Sequence, residues 1–133
     1  MTKQVLDVQQ MQHLQELGLD TSNASMYWIS YNGINVSIPS NFHLPTSDND
    51  YVICDAYTLQ DVLDALPKNV SSNGKAYYLN VDLCVGYVCY DRRMEDNLLV
   101  GASFAKTGCL IDAAYSMLCW AIDNKFVETN KNE

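Results

Sequence analysis

Basic residues are scarce: six lysines and two arginines stand against sixteen Asp and Glu, a formal net charge of −8. Duplex nucleic acid and anionic membranes are bound through clustered Lys and Arg, so neither is an expected partner. Histidine is nearly missing. With only His13 and His43, no histidine follows the Gly101-Ala102-Ser103 segment to complete a hydrolase order of Ser, Asp and His. Long apolar runs are missing too: the longest, CLIDAAYSMLCWAI over residues 109–122, contains Asp112 and is shorter than the roughly 20 residues a membrane helix needs. The first 18 residues hold no continuous apolar segment and read as part of the fold rather than as a signal peptide. Five cysteines (Cys54, Cys84, Cys89, Cys109, Cys119) cannot all pair within one chain and show no disulfide spacing, which fits a reducing cytoplasm.

What remains is an ordinary globular composition. In 133 residues, 48% are apolar and 18% charged, enough for one core in one domain and too apolar for disorder. Val8, Met11, Leu14 and Leu17 recur at three-residue steps between Asp7 and Gly18, predicting a helix over residues 8–17. SMYWISY, Asn32-Gly33 and INVSI predict a hairpin, because Asn-Gly tolerates the positive φ of a type I′ turn. Residues 39–50 hold two prolines and read as a surface loop, followed by a short strand over 51–54. Thr58 and Asp61 form a capping box ahead of Leu59, Val62, Leu63 and Leu66, a helix that Pro67 ends. Three strand-like runs over 75–83, 84–90 and 98–104 predict an antiparallel meander, with DRRMEDN as a charged tip. A final apolar helix over 109–124 precedes a tail, 127–133, expected to fray. The sum is an α+β fold: an antiparallel sheet, made of the N-terminal hairpin and the meander, covered by about three helices. The order of the second half is that of a double-stranded-RNA-binding domain, but the lysine cluster such a domain needs shrinks here to Lys106 alone.

No catalytic or metal set emerges from spacing. Cys84 and Cys89 are five apart and Cys109 and Cys119 ten apart, neither a zinc pair. Asp48, Asn49 and Asp50 open like a calcium loop but lack its glycine and its closing glutamate. Asp61 with Asp64, and Glu95 with Asp96, sit where a helix start or a turn accounts for them. The expectation is a non-enzyme without cofactor or metal.

Two features suit a ligand. Lys106-Thr107-Gly108 lies between a strand and a helix, where free N–H groups, a hydroxyl and an ammonium suit a phosphate; Thr107 as a plain helix cap is the simpler account. Arg92-Arg93, the only arginines, stand near Tyr87 and Tyr90, a set that could hold a phosphate and stack a base. A solubilising turn paired with Asp91, Glu95 and Asp96 accounts for the same residues.

The segments VQQMQHLQELGLDTSNASMYW, YTLQDVLDALPK and LIDAAYSMLCWAIDNKF resemble, in that order, a group of small, functionally uncharacterised proteins encoded by phages and prophages of gut bacteria. The resemblance implies an accessory, counter-defence role in the cytoplasm of a bacterial host, exerted by stoichiometric binding. Sequestration of a small phosphorylated nucleotide through Arg92, Arg93, Lys106, Thr107, Gly108, Tyr87 and Tyr90 is the first expectation. The alternative is an inhibitor that meets a basic host protein with Asp48, Asp50, Asp61, Asp64, Glu95 and Asp96. Apolar surface left over by three helices predicts a homo-oligomer.

Overall fold

Two Asn-Gly pairs and two capping boxes set the local structure. A computed structural model describes residues 3–41, 50–82, 87–92, 97–104 and 109–130, of which 92 and 97–104 are described by their backbone. Helix α1 spans Val8–Glu16; the Asp7 carboxylate accepts from the Gln10 N–H while the Gln10 side chain accepts from the Asp7 N–H. Its first-turn donors are thus partly satisfied before any packing. Gly18, at φ 95°, ends the helix by turning left-handed, a conformation costly for a residue with a Cβ.

Strands β1 (Met26–Tyr31) and β2 (Ile34–Pro39) form the expected hairpin, with Asn32 at φ 52° and Gly33 at φ 77°. This is the type I′ geometry whose twist matches the strands. Strand β3 (Tyr51–Ala56) pairs with the other side of β1, giving the antiparallel order β2-β1-β3 with a bulge at Trp28/Ile29. Helix α2 (Leu59–Ala65) is capped by Thr58, and Leu66 is extended, as a residue before proline prefers. Strands β4 (Asn69–Ser72), β5 (Lys75–Asp82), β6 (Tyr87–Arg92) and β7 (Asn97–Phe104) form a second antiparallel sheet in that order. Helix α3 (Leu110–Asp123) closes the fold.

The class is therefore α+β, with three helices among the described residues, but the strands form two sheets where one was expected. Strand β4 is the missed element. NVSS alone is too short and polar to read as a strand; what makes it one is Asn73-Gly74, at φ 54° and 75°, a second type I′ turn onto β5. Strand β6 also runs further than expected, since Asp91 and Arg92 pair with Tyr78 and Asn97 instead of forming the tip. Pro39 belongs to β2, and the rest of the expected loop up to residue 49 lies outside the described residues except Ser40 and Asn41. The tail is corrected in part. Val127 is 9% exposed in the core, and the Asn130 N–H donates to the Gly18 carbonyl at 2.7 Å, so residues 127–130 are anchored.

The core lies between the helices and the sheets. Ile111, Ala114, Met117, Leu118, Ala121 and Ile122 of α3 are buried against Val88 and Tyr90 of β6 and Val62 of α2. Met11 and Leu14 of α1 join the same cluster near Tyr57. Lys3 links the layers: its Nζ donates to Gln10 Oε1 at 2.7 Å and to Asp112 Oδ1 at 2.8 Å, and Gln10 Nε2 donates to the same oxygen at 2.9 Å. Burial works against the charge of Asp112, but these donors outweigh it and hold its carboxyl below the ordinary value of 3.8. Met117→Ala should cost about 2–5 kcal/mol in urea unfolding, because a fully buried side chain leaves a cavity. An unchanged midpoint would show that α3 does not seat here.

Candidate functional site

Of the expected phosphate-binding residues, Tyr87, Tyr90 and the backbone of Arg92 are described, and these three do not come together. Arg92 pairs with Asn97 at one end of the β6–β7 ladder, whereas Tyr87 pairs with Phe104 at the other. Five strand steps between Arg92 and Tyr87 amount to about 16 Å. Lys106, Thr107, Gly108 and Arg93 lie outside the described residues. The cap of α3 is Cys109, which makes no side-chain cap bond, and not Thr107. Asp112 already places a carboxylate in the first turn of α3, where a bound anion would meet like charge.

Tyr90 leaves the set altogether. Its side chain is fully buried, its ring lies 5.8 Å from that of Trp120, and its hydroxyl donates to the Pro67 carbonyl at 2.7 Å. Burial alone raises its pKa. Residues 87 and 90 are an odd number apart, so a regular strand sends them to opposite faces, a parity visible in the sequence. Tyr87 is on the face away from α3, with Tyr78, Asn80, Asp82, Cys89 and Asp91. There the Asp91 Oδ2 accepts from Asn80 Nδ2 at 3.0 Å and from the Cys89 thiol at 3.8 Å, while its buried Oδ1 has no hydrogen-bond partner.

Three thiols on this fold, those of Cys54, Cys89 and Cys119, are held protonated. Burial, reinforced by the Asp91 charge, pushes Cys89 up to about 11, and burial also raises Cys54 and Cys119. A thiol is a nucleophile only as thiolate, so these three are poorly suited to covalent chemistry at neutral pH. Cys54, Cys89, Cys109 and Cys119 are free, and among the described residues no three His, Cys, Asp or Glu are grouped to hold a metal ion.

Carboxylates are likewise redistributed. Asp61, expected on an acidic surface, is 8% exposed: its Oδ1 accepts from Ser25 Oγ at 2.7 Å, and its Oδ2 accepts from the N–H groups of Ser25 at 2.9 Å and Thr58 at 3.0 Å. Burial would raise its pKa, but these donors prevail and hold the carboxyl below 3.8. Asp64 is exposed beside Gln60, and Asp50 accepts from the Asn32 N–H at 3.1 Å; Asp48, Glu95 and Asp96 lie outside the described residues.

Sequence reasoning expected exposed apolar surface but did not locate it. Tyr31, Ile34, Tyr51 and Val52 are 46%, 65%, 63% and 39% exposed, and the register gathers all four at the turn end of the β2-β1-β3 sheet. Tyr78, 51% exposed, stands apart on β5. On the face of this sheet that carries Trp28, Asn35 and Tyr51, opposite Tyr31, Ile34 and Val52, an open groove of about 370 Å³ is lined by Asp7, Val8, Gln9, Trp28 and Asn35. The Trp28 indole N–H is already given to the Leu6 carbonyl at 2.7 Å, so the groove offers a ring face and few free donors.

Among the described residues no helix is long and apolar enough to cross a membrane. No protein-family model matches the chain, and no curated protein or solved structure is significantly similar to it. The raised pKa of Cys89 makes a direct prediction. In native protein at pH 7.5 it should alkylate with iodoacetamide far more slowly than after unfolding, as read by peptide mass spectrometry. Equal rates in the two states would contradict its burial.

Proposed function

We propose that the chain is a non-catalytic binding protein that acts by covering a surface of a protein partner. The observation that carries this reading is the exposed apolar end of the β2-β1-β3 sheet, with Tyr31, Tyr51 and Val52 beside the Asp50 carboxylate. Aromatic and aliphatic side chains displaying large area at low conformational cost are the usual anchors of an interface. Aspartate at the rim of that patch, on a chain of charge −8, favours a partner whose apolar surface is rimmed by Lys and Arg. In a phage or prophage setting, occlusion of a host defence protein is the corresponding role, exerted in the host cytoplasm.

Sequestration of a nucleotide is the weaker reading. A small-ligand site normally encloses most of its ligand and converges a few polar groups on it. Here Arg92 and the Tyr87 end are separated along β6 and Tyr90 is committed to the core.

The discriminating experiment immobilises the protein and a Tyr51→Lys/Val52→Lys variant and challenges both with host lysate at low and high salt. The substitutions fall on exposed positions and should change stability by less than about 0.5 kcal/mol. The expected result is one basic protein retained by the wild type at low salt and lost with the variant. Retention unchanged by the variant would overturn the assignment of this end of the sheet. Release of a nucleotide from the purified protein on denaturation would replace it with sequestration, as would a thermal shift equivalent to about 2.7 kcal/mol at 100 times Kd.

A further inference from the structure

The outer edge of β2 is an open and uncharged ladder. In a two-residue hairpin the residues flanking the turn form a hydrogen-bonded pair, and bonded pairs then alternate along the strands. The pattern here is fixed at its far end by the Ser40 N–H, which donates to the Ser25 carbonyl at 2.9 Å in the same register. Ile34, Val36 and Ile38 therefore bond inward to Tyr31, Ile29 and Tyr27. Asn35 and Ser37 turn their N–H and C=O groups outward. Pro39 follows the outward phase, the place where a proline costs a strand no hydrogen bond. Among the described residues no strand pairs with this edge.

Edge strands are ordinarily guarded by charge, bulges or brevity. Residues 21–41 carry no Asp, Glu, Lys or Arg, where a chain that is 18% charged would place about four. Ile34 and Val36 lie on one face with Ile38, next to Tyr27, Ile29 and Tyr31. The chain as a whole is strongly acidic, so two copies repel wherever their carboxylates meet. The charge-free hairpin is where that repulsion is least.

We infer that β2 pairs antiparallel with β2 of a second copy across a two-fold axis through Val36, joining two three-stranded sheets into one of six. The register follows from the outward groups. Asn35 of each copy faces Ser37 of the other and exchanges both backbone bonds, about four in all. Val36 meets its own counterpart, Ile34 meets Ile38, and Pro39 falls opposite Gly33, where no donor is required of it. The pattern is self-complementary, as an isologous contact must be. The axis also leaves Tyr51 and Val52, on the far edge strand β3, uncovered on both copies, so this inference does not depend on the proposed partner and the dimer would present that end of the sheet twice.

The test uses Ser37→Pro and Val36→Lys. Ser37 gives no bond to β1, so proline there blocks the outer edge and spares the hairpin; the lysine places two like charges at the axis. Light scattering at micromolar concentration should give about twice the 15.0 kDa chain mass for wild type and the single-chain mass for both variants, with unchanged circular dichroism. Hydrogen exchange supplies a readout independent of the variants: the Asn35 and Ser37 amides should be slow in concentrated wild type and fast on dilution below the dissociation constant. A wild-type mass of one chain overturns the inference. So does a dimer that survives both substitutions, or fast exchange at Asn35 and Ser37 within a dimer.

Discussion

One carboxylate holds the junction on which this fold turns. Asp61 sits at the third position of α2 and gathers donors from Thr58, the cap of its own helix, and from both the backbone and the hydroxyl of Ser25, the residue before β1. The Ser25 carbonyl in turn accepts from the Ser40 N–H just beyond β2. A single side chain therefore fixes the entry of a helix and the mouth of a hairpin. Buried carboxylates are tolerated only where hydrogen bonds replace lost hydration, and here the donors do so well enough to keep the ionised form favoured. Once α2 is placed, Val62 meets α3, and α3 covers the second sheet through Met117, Leu118 and Trp120.

The rest of the first sheet is secured in the same manner, by short polar contacts at the margins of an apolar interior. Thr21 Oγ1 donates to Asp55 Oδ2 at 2.7 Å, and the Tyr57 hydroxyl donates to Asn23 Oδ1 at 2.8 Å. Burial, with Asp61, Asp20 and Asp55 nearby, raises that phenol to about 12. The Leu6 N–H donates to the Tyr57 carbonyl, which lays the N-terminal segment alongside residues 57 and 58. Asp61, which sequence reading set out as acidic surface, is structural in the same way. What the described residues leave uncovered is the aromatic end of one sheet and the outer edge of β2.

Much of this was legible in the sequence where the signal is local. Asp7, Gly18, Asn32-Gly33 and Thr58 with Asp61 act within a few residues, and each forms the turn or cap that its chemistry predicts. Asn73-Gly74 carried the same signal as Asn32-Gly33, but NVSS lacks the apolar alternation that would have drawn attention to a strand. The division into two sheets is an outcome of which strands pair, a non-local choice that no periodicity reports. The candidate site was legible least. Chain neighbours such as Tyr87, Tyr90 and Arg92 were grouped by proximity in sequence, whereas strand parity sends Tyr87 and Tyr90 to opposite faces and register puts Tyr87 and Arg92 at opposite ends of β6. The burial of Asp61 could not be foreseen, because Ser25, its second partner, is 36 residues away.

The junction between α2 and the hairpin stands on the ionised carboxylate of Asp61, and the stability of the protein as a function of pH tests that directly. The folded pKa of Asp61 lies below the unfolded value of 3.8, so its contribution is present above that pH and is lost as pH falls through the folded value. Urea unfolding of wild type and Asp61→Asn from pH 7 to pH 3 isolates it from the other carboxylates. The predicted result is a variant less stable by about 1–3 kcal/mol at pH 7, with the gap narrowing as the pH drops below 3.8. Equal stability at pH 7, or a gap that does not change with pH, would contradict the claim that this charge holds the junction.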